Sequence, residues 1–125
     1  MYDFLDRSVA DLSSADRKLL DATRAWVHQL TMAGVGTPAA AGKMGRGSDA
    51  FDAAMRALDK GSSETIVFQR PCHPRVSETE AVWLGIWRLV RADRVAAATA
   101  ALGGFVDTGS ADRVAGAMVK AAATV

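Results

Sequence analysis

The chain has 125 residues, with fifteen basic side chains, fourteen acidic side chains and one cysteine. This length fits a single domain, and one cysteine excludes an internal disulfide and a two-cysteine zinc motif. The near balance of charge argues against binding to nucleic acid or to a membrane surface, because both usually require a clustered excess of Lys and Arg.

An arm and a long helix are predicted at the start of the chain. Residues 1–12 mix apolar and charged side chains and are expected to form an N-terminal arm. Apolar side chains then recur at the spacing of one helical face, at Leu19, Leu20, Thr23, Trp26, Val27 and Leu30. The pattern predicts a helix from Ser13 or Ser14 to about Met32. Its solvated face is expected to carry Asp16, Arg17, Asp21, Arg24 and Gln29.

A glycine-rich segment separates this helix from the next. Thr37 and the proline after it predict a short helix, because proline at the first helical position needs no hydrogen-bond partner. Residues 42–48 contain three glycines and are expected to form a flexible loop, since glycine loses the most backbone entropy on ordering. Ser48 or Asp49 is then expected to cap a helix that ends near Lys60.

One stretch has strand character. Residues 64–69 are rich in β-branched and aromatic side chains, yet the sequence offers no obvious partner strand. A lone strand would leave its hydrogen-bonding groups unpaired. We therefore interpret residues 64–71 as an extended connector whose Ile66 and Phe68 fill the core, or as an edge that pairs in a dimer.

The strongest helix signal follows this connector. Ser77 and Glu80 have the spacing of a capping box, in which each side chain binds a backbone N–H that the first helical turn leaves unpaired. The box predicts a helix over residues 78–92. That helix is apolar over most of its circumference, which is typical of a helix at the centre of a bundle or shared between two chains.

Two further helices are predicted after it. Asp93 is expected to cap an alanine-rich helix that ends at Leu102, although the chain could also run on as one helix. Ser110 is expected to cap the last helix, which ends near Ala122. The sequence as a whole predicts an all-α fold, a single-domain bundle of five or six short helices.

The helix over residues 78–92 is the leading candidate for an interaction surface. Trp83 and Trp87 lie four residues apart and share a face with Val90. Tryptophan supplies large, rigid anchors where it is exposed at an interface, but the same spacing is also typical of a core helix. If these three residues are exposed, they indicate binding to a protein partner or to a second copy of the chain.

A thiol site is the alternative. Cys72 lies shortly before the helix start at Ser77 and next to His73, and a helix N-terminus can stabilise a thiolate. Adjacent residues in an extended segment point to opposite sides, however, which places the two side chains poorly as a nucleophile and base. No metal-ligand spacing is present, and the sequence predicts no metal and no cofactor.

A third hypothesis concerns arginines. Arg88, Arg91 and Arg94 recur every three residues and could contact nucleic acid or another anion. Charged residues spaced in this way usually form the solvated strip of an amphipathic helix. The sequence has no recognised nucleic-acid-binding motif, so we regard this as the weakest of the three hypotheses.

The motif Pro71-x-x-x-x-Val76-Ser77-x-x-Glu80, together with residues 1–7 and the triplet at 26–28, resembles small uncharacterised helical proteins from bacteria. The resemblance implies no activity, substrate or catalytic residue. It favours a bacterial cytoplasmic protein, which agrees with the mixed charges of residues 1–7 and with apolar runs too short to span a membrane. We therefore expect a noncatalytic protein-interaction or regulatory module.

Overall fold

A computed structural model describes residues 6–34, 47–62 and 66–123 of the chain. Its helices are α1 (Ser14–Ala33), α2 (Ser48–Gly61), α3 (Glu78–Arg91), α4 (Val95–Leu102) and α5 (Thr108–Ala122), preceded by a 3-10 turn at Val9–Asp11. The predicted all-α bundle is confirmed, and in the described ranges the β-type pairing consists of two isolated bridges. The short helix predicted at Thr37 and nearly all of the loop predicted over 42–48 lie outside the described residues.

Helix α3 is the central element of the bundle. It packs against α1, α4 and α5, while α2 packs against α5 and α1. Trp83, Leu84, Ile86 and Trp87 of α3 are fully buried. Phe51 of α2 stacks on Trp87, with ring centroids 5.7 Å apart. The apolar circumference of α3 therefore reflects its position between the other helices.

The helix start predicted at Ser13 or Ser14 and the capping box predicted at Ser77 and Glu80 are confirmed. The Ser13 hydroxyl accepts a hydrogen bond from the Asp16 N–H at the start of α1. At the start of α3, Ser77 accepts from the Glu80 N–H, and the Glu80 carboxylate accepts from the Ser77 N–H. Both signals were local in sequence, which is why they could be read without knowledge of the tertiary fold.

The cap predicted for α5 was wrong. Asp107 occupies the cap position instead of Ser110, and its carboxylate accepts hydrogen bonds from the N–H and the hydroxyl of Ser110. These hydrogen bonds hold the pKa of Asp107 below its ordinary value. A carboxylate binds the exposed N–H groups of a first turn more strongly than a hydroxyl does, so α5 begins at Thr108.

The caps predicted for α2 and α4 were also wrong. Gly47 occupies the cap position of α2 and Arg94 that of α4, and neither makes a side-chain cap bond. Asp93 instead adopts a left-handed backbone conformation, with φ of 62°, between α3 and α4. The two helices are thus separate, because an αL residue interrupts a right-handed helix.

The described part of the N-terminal arm is tied to the segment before α3. The Asp6 N–H donates to the Val76 carbonyl, and the Val76 N–H donates to the Arg7 carbonyl. The Val9 N–H donates to the Pro74 carbonyl at 2.8 Å, and its side chain is buried. Residues 74–76 are therefore held on one side by the arm.

Candidate functional site

A fully buried ion pair joins α1 to the start of α3. The guanidinium of Arg24 donates from Nε to Glu80 Oε2 at 2.8 Å and from Nη2 to Glu80 Oε1 at 2.9 Å. Both side chains are 0% exposed. Arg24 also donates to the carbonyls of His73 and Arg75, at 2.7 and 2.8 Å. One arginine thus fixes α3 and the segment before it to α1.

The Glu80 carboxylate completes this network. It accepts hydrogen bonds from the backbone N–H groups of Gln69 and Ser77, each at 3.0 Å. Burial raises the pKa of this carboxyl, but the hydrogen bonds from Arg24, Ser77 and Gln69 and the charge of Arg24 outweigh it, so the pKa lies below its ordinary value. Glu80 is therefore held as a carboxylate, and it anchors the connector as well as the helix.

The prediction that Arg24 belongs to a solvated face was wrong. Arg24 is fully buried, and Asp16, expected on the same face, is also buried. The sequence contained a signal for Arg24, since it lies four residues after Leu20 and three before Val27 and so shares their stripe. Only the tertiary fold shows that Glu80, 56 residues away, supplies its counter-charge.

Residues 66–70 form a segment that we call the open connector. Its backbone runs without a helix, turn or bend. Within the described part of the chain, the backbone groups of residues 66–68 make no hydrogen bond. Ile66 and Phe68 pack against the core, and Phe68 meets Trp83 edge to face at 6.2 Å. Val67 between them is 60% exposed. The predicted connector is confirmed over these residues, whereas 63–65 lie outside the described residues.

An apolar cleft lies beside the open connector. It has a volume of about 580 Å³ and is lined by residues of α1, α2 and the connector, among them Trp26, Leu30, Met55, Leu58, Ile66 and Phe68. Thr31 also lines it, and the next residue, Met32, is 75% exposed. Met32 and Val67 are thus exposed apolar residues that lie next in sequence to residues of the cleft.

The residues predicted as an interaction surface on α3 lie inside the chain. Trp83 and Trp87 are 0% exposed, and Val90 is buried. The Trp83 indole donates to the Thr23 hydroxyl at 2.9 Å. The Trp87 indole N–H is buried and has no hydrogen-bond partner among the residues that the structure describes. A partner could reach these side chains only if α3 left the bundle.

The different hydrogen bonding of the two indoles predicts a difference in stability between Trp83→Phe and Trp87→Phe. Trp83→Phe and Trp87→Phe remove the same ring volume, but only the first breaks a hydrogen bond. We expect Trp83→Phe to cost about 1 kcal/mol more stability than Trp87→Phe, because the second variant removes a polar group that had no partner. Urea unfolding of the two variants measures the difference. An equal or larger loss for Trp87→Phe would show that its N–H is paired in solution.

Cys72 lies on an exposed turn, and His73 does not bind it. The His73 N–H donates to the Arg70 carbonyl across this turn. The His73 ring contacts the backbone of Arg75 through Nδ1, which lies 2.8 Å from the Arg75 carbonyl oxygen. Between these described residues there is no hydrogen bond from the imidazole to the thiol. The structure thus leaves Cys72 accessible but gives it no base.

Two of the three predicted anion-binding arginines face an acidic side chain. Arg91 Nη1 donates to Asp16 Oδ1 at 2.8 Å, and Arg88 Nη2 lies 3.9 Å from Asp16 Oδ2. Arg94 is exposed at the start of α4. The carboxylate on α1 neutralises part of the basic strip, so the three residues do not form a uniform cationic surface.

Known proteins supply no further information on this site. No family model, curated protein or solved structure matches the chain. The resemblance to small bacterial helical proteins therefore stays a prediction. In the described ranges, no helix is long and apolar enough to cross a membrane, and no three His, Cys, Asp or Glu side chains are grouped to hold a metal ion.

Proposed function

We propose that the protein is a noncatalytic interaction module that docks through the open connector, with a second copy of the chain as its partner. The observation that carries the proposal is that the backbone of residues 66–68, with the exposed Val67 at its centre, makes no hydrogen bond to any residue that the structure describes. Unpaired N–H and carbonyl groups of this kind can accept an added strand, whose main-chain hydrogen bonds supply affinity.

The side chains of the connector suit pairing with an identical segment. In a two-fold dimer, the same patch meets itself, so residue i of one copy faces residue j of the other and j faces i. Residues 66–69 are Ile, Val, Phe and Gln and carry no charge, and the one charged residue of the open connector is Arg70 at its end. Two copies could therefore pair in antiparallel fashion without the repulsion that like charges directly opposite each other cause.

The ion pair between Arg24 and Glu80 prepares the connector for docking. Glu80 holds the Gln69 N–H, and Arg24 holds the carbonyls of His73 and Arg75. A segment that is already ordered loses less conformational entropy when it binds, which raises affinity without new contacts. Ile66 and Phe68 of the connector also line the neighbouring cleft, whose apolar residues supply further area beside the connector.

The other hypotheses receive less support from the geometry. Cys72 is exposed, but the His73 ring binds the backbone of Arg75. A reactive thiol usually has a neighbouring group that stabilises the thiolate. Nucleic-acid binding would require a basic patch, whereas Asp16 lies against Arg88 and Arg91.

Sedimentation velocity across a range of protein concentrations tests the proposal. We expect the wild type to dimerise and Val67→Asp to weaken the dimer at least about tenfold, because the variant buries a charged carboxylate of each copy in the interface. Val119→Asp is the matched control: Val119 is 41% exposed on α5, and we expect no effect there. A monomeric wild type, or equal effects of the two variants, would contradict the proposal.

A further inference from the structure

A second cleft, which we call the basic cleft, lies between the end of α1, the outer face of α2 and the start of α5. Its volume is about 490 Å³. Trp26, Leu30 and Ala57 border it, and the first two also border the cleft beside the connector. Leu30 and Ala57 are half-buried and supply its apolar surface, whereas Trp26 is 2% exposed. The two clefts therefore meet along α1. A volume of this size matches pockets that bind small organic molecules.

The charges of the basic cleft are mostly positive. Arg56, Lys60 and Arg113 line it, against one carboxylate, that of Asp59. Arg56 already donates to Asp52 at 2.7 Å. Lys60 and Arg113, by contrast, make no ion pair or hydrogen bond with any described residue. Two cationic groups that have no partner in the described part of the chain thus lie beside the apolar residues of the cleft.

Two neutral hydrogen-bonding side chains of the cleft, those of Trp26 and Ser110, already have partners inside the protein. The Trp26 indole donates to Asp52 at 2.8 Å, and the Ser110 hydroxyl donates to Asp107 at 3.1 Å. A ligand that depends on neutral hydrogen bonds would have few groups to bind. Lys60 and Arg113 are donors only, and they pair best with an anion.

We propose that the basic cleft binds a small anionic amphiphile, an apolar chain that ends in a single carboxylate. The chain would lie along Trp26, Leu30 and Ala57, and the carboxylate would meet Lys60 and Arg113. Burial of the chain supplies most of the affinity, while the two cations select for negative charge. No residue of the open connector lines this site, although Trp26 and Leu30 also line the cleft beside the connector, so the test includes a variant that blocks the proposed self-association.

The test is an NMR titration with decanoate, followed through the indole N–H signals of the three tryptophans. We expect a saturable shift of the Trp26 signal, with smaller changes for Trp83 and Trp87, which do not line the cleft. Decyltrimethylammonium has the same chain with the opposite charge, and we expect it to bind at least about tenfold more weakly. Both amphiphiles are kept below the concentrations at which they form micelles.

Variants separate this site from nonspecific binding. The double variant Lys60→Gln/Arg113→Gln is expected to weaken decanoate binding by roughly three- to tenfold, as two partly exposed ion pairs would. Lys120→Gln, which removes an exposed charge elsewhere on α5, should leave binding unchanged. The proposal is overturned if decanoate does not saturate the Trp26 signal, if both amphiphiles bind equally, or if the double variant binds like the wild type. Val67→Asp should bind decanoate as the wild type does. A negative result for the ligand site can therefore be told apart from a negative result for the proposed dimer.

Discussion

Glu80→Gln is expected to lower the free energy of unfolding by about 3–5 kcal/mol, because it leaves the guanidinium of Arg24 buried without a counter-charge. The glutamine amide has nearly the same shape as the carboxylate, so lost packing cannot explain a loss of this size. Urea unfolding measures the change. Glu78→Gln is the matched control, since Glu78 is an exposed glutamate in the same first turn, and its effect should stay within about 0.5 kcal/mol.

The pH dependence of stability gives a second measurement of the same ion pair. The pKa of Glu80 is lower in the folded protein than its ordinary value. Its contribution is therefore complete above that ordinary value, and it is lost as the pH falls through the lowered pKa of the folded state. We expect the wild type to lose more stability than Glu80→Gln between neutral and acidic pH. Parallel pH profiles, or an equal effect of Glu78→Gln at neutral pH, would show that the buried pair is not the dominant electrostatic contact.

Gly61→Ala is expected to cost about 1–3 kcal/mol, the usual range for overpacking a tight contact. A Cβ atom at Gly61 would overlap the Cβ of Ser110 and lie 3.3 Å from the Cβ of Val106. The Cβ of Ser110 is attached directly to the backbone, so it cannot rotate away. The end of α2 would have to move from α5, which would strain the hydrogen bond from the Asp107 N–H to the Gly61 carbonyl.

The same glycine-to-alanine substitution at Gly116 is expected to have the opposite effect on stability. Gly116 lies exposed within α5, and a Cβ there would meet no atom within 4 Å. The variant should stabilise the protein by about 0.4–1 kcal/mol, because alanine has less backbone freedom in the unfolded chain. Thermal unfolding of both variants gives the comparison. A stabilising effect of Gly61→Ala would contradict the close approach of α2 and α5 at this position.

The helices could largely be predicted because their signals are local. The spacing of apolar residues defined α1, and the Ser77 and Glu80 pair defined the start of α3. The caps of α2, α4 and α5 were wrong because several polar residues stood near each helix start. At α5, the carboxylate of Asp107 could be ranked above the hydroxyl of Ser110 only once the backbone geometry was known.

The candidate site was less predictable because it depends on contacts between distant parts of the chain. Trp83 and Trp87 had the sequence pattern of either a core or an interface, and only the packing of α1, α2, α4 and α5 around α3 shows that they are buried. The role of Glu80 was assigned from its local capping box. Its pairing with Arg24 and its hold on Gln69 arise from tertiary structure.

Amide hydrogen exchange of residues 66–68, measured by NMR at low and high protein concentration, tests the central claim most directly. At low concentration these amides have no acceptor among residues 6–34, 47–62 and 66–123, so we expect rapid exchange. At concentrations where sedimentation shows the dimer, pairing of the connector should protect the Val67 amide or its neighbours, while the Gln69 N–H, already bound to Glu80, should change less. Exchange at residues 66–68 that stays equally rapid in the dimer would contradict docking through the open connector.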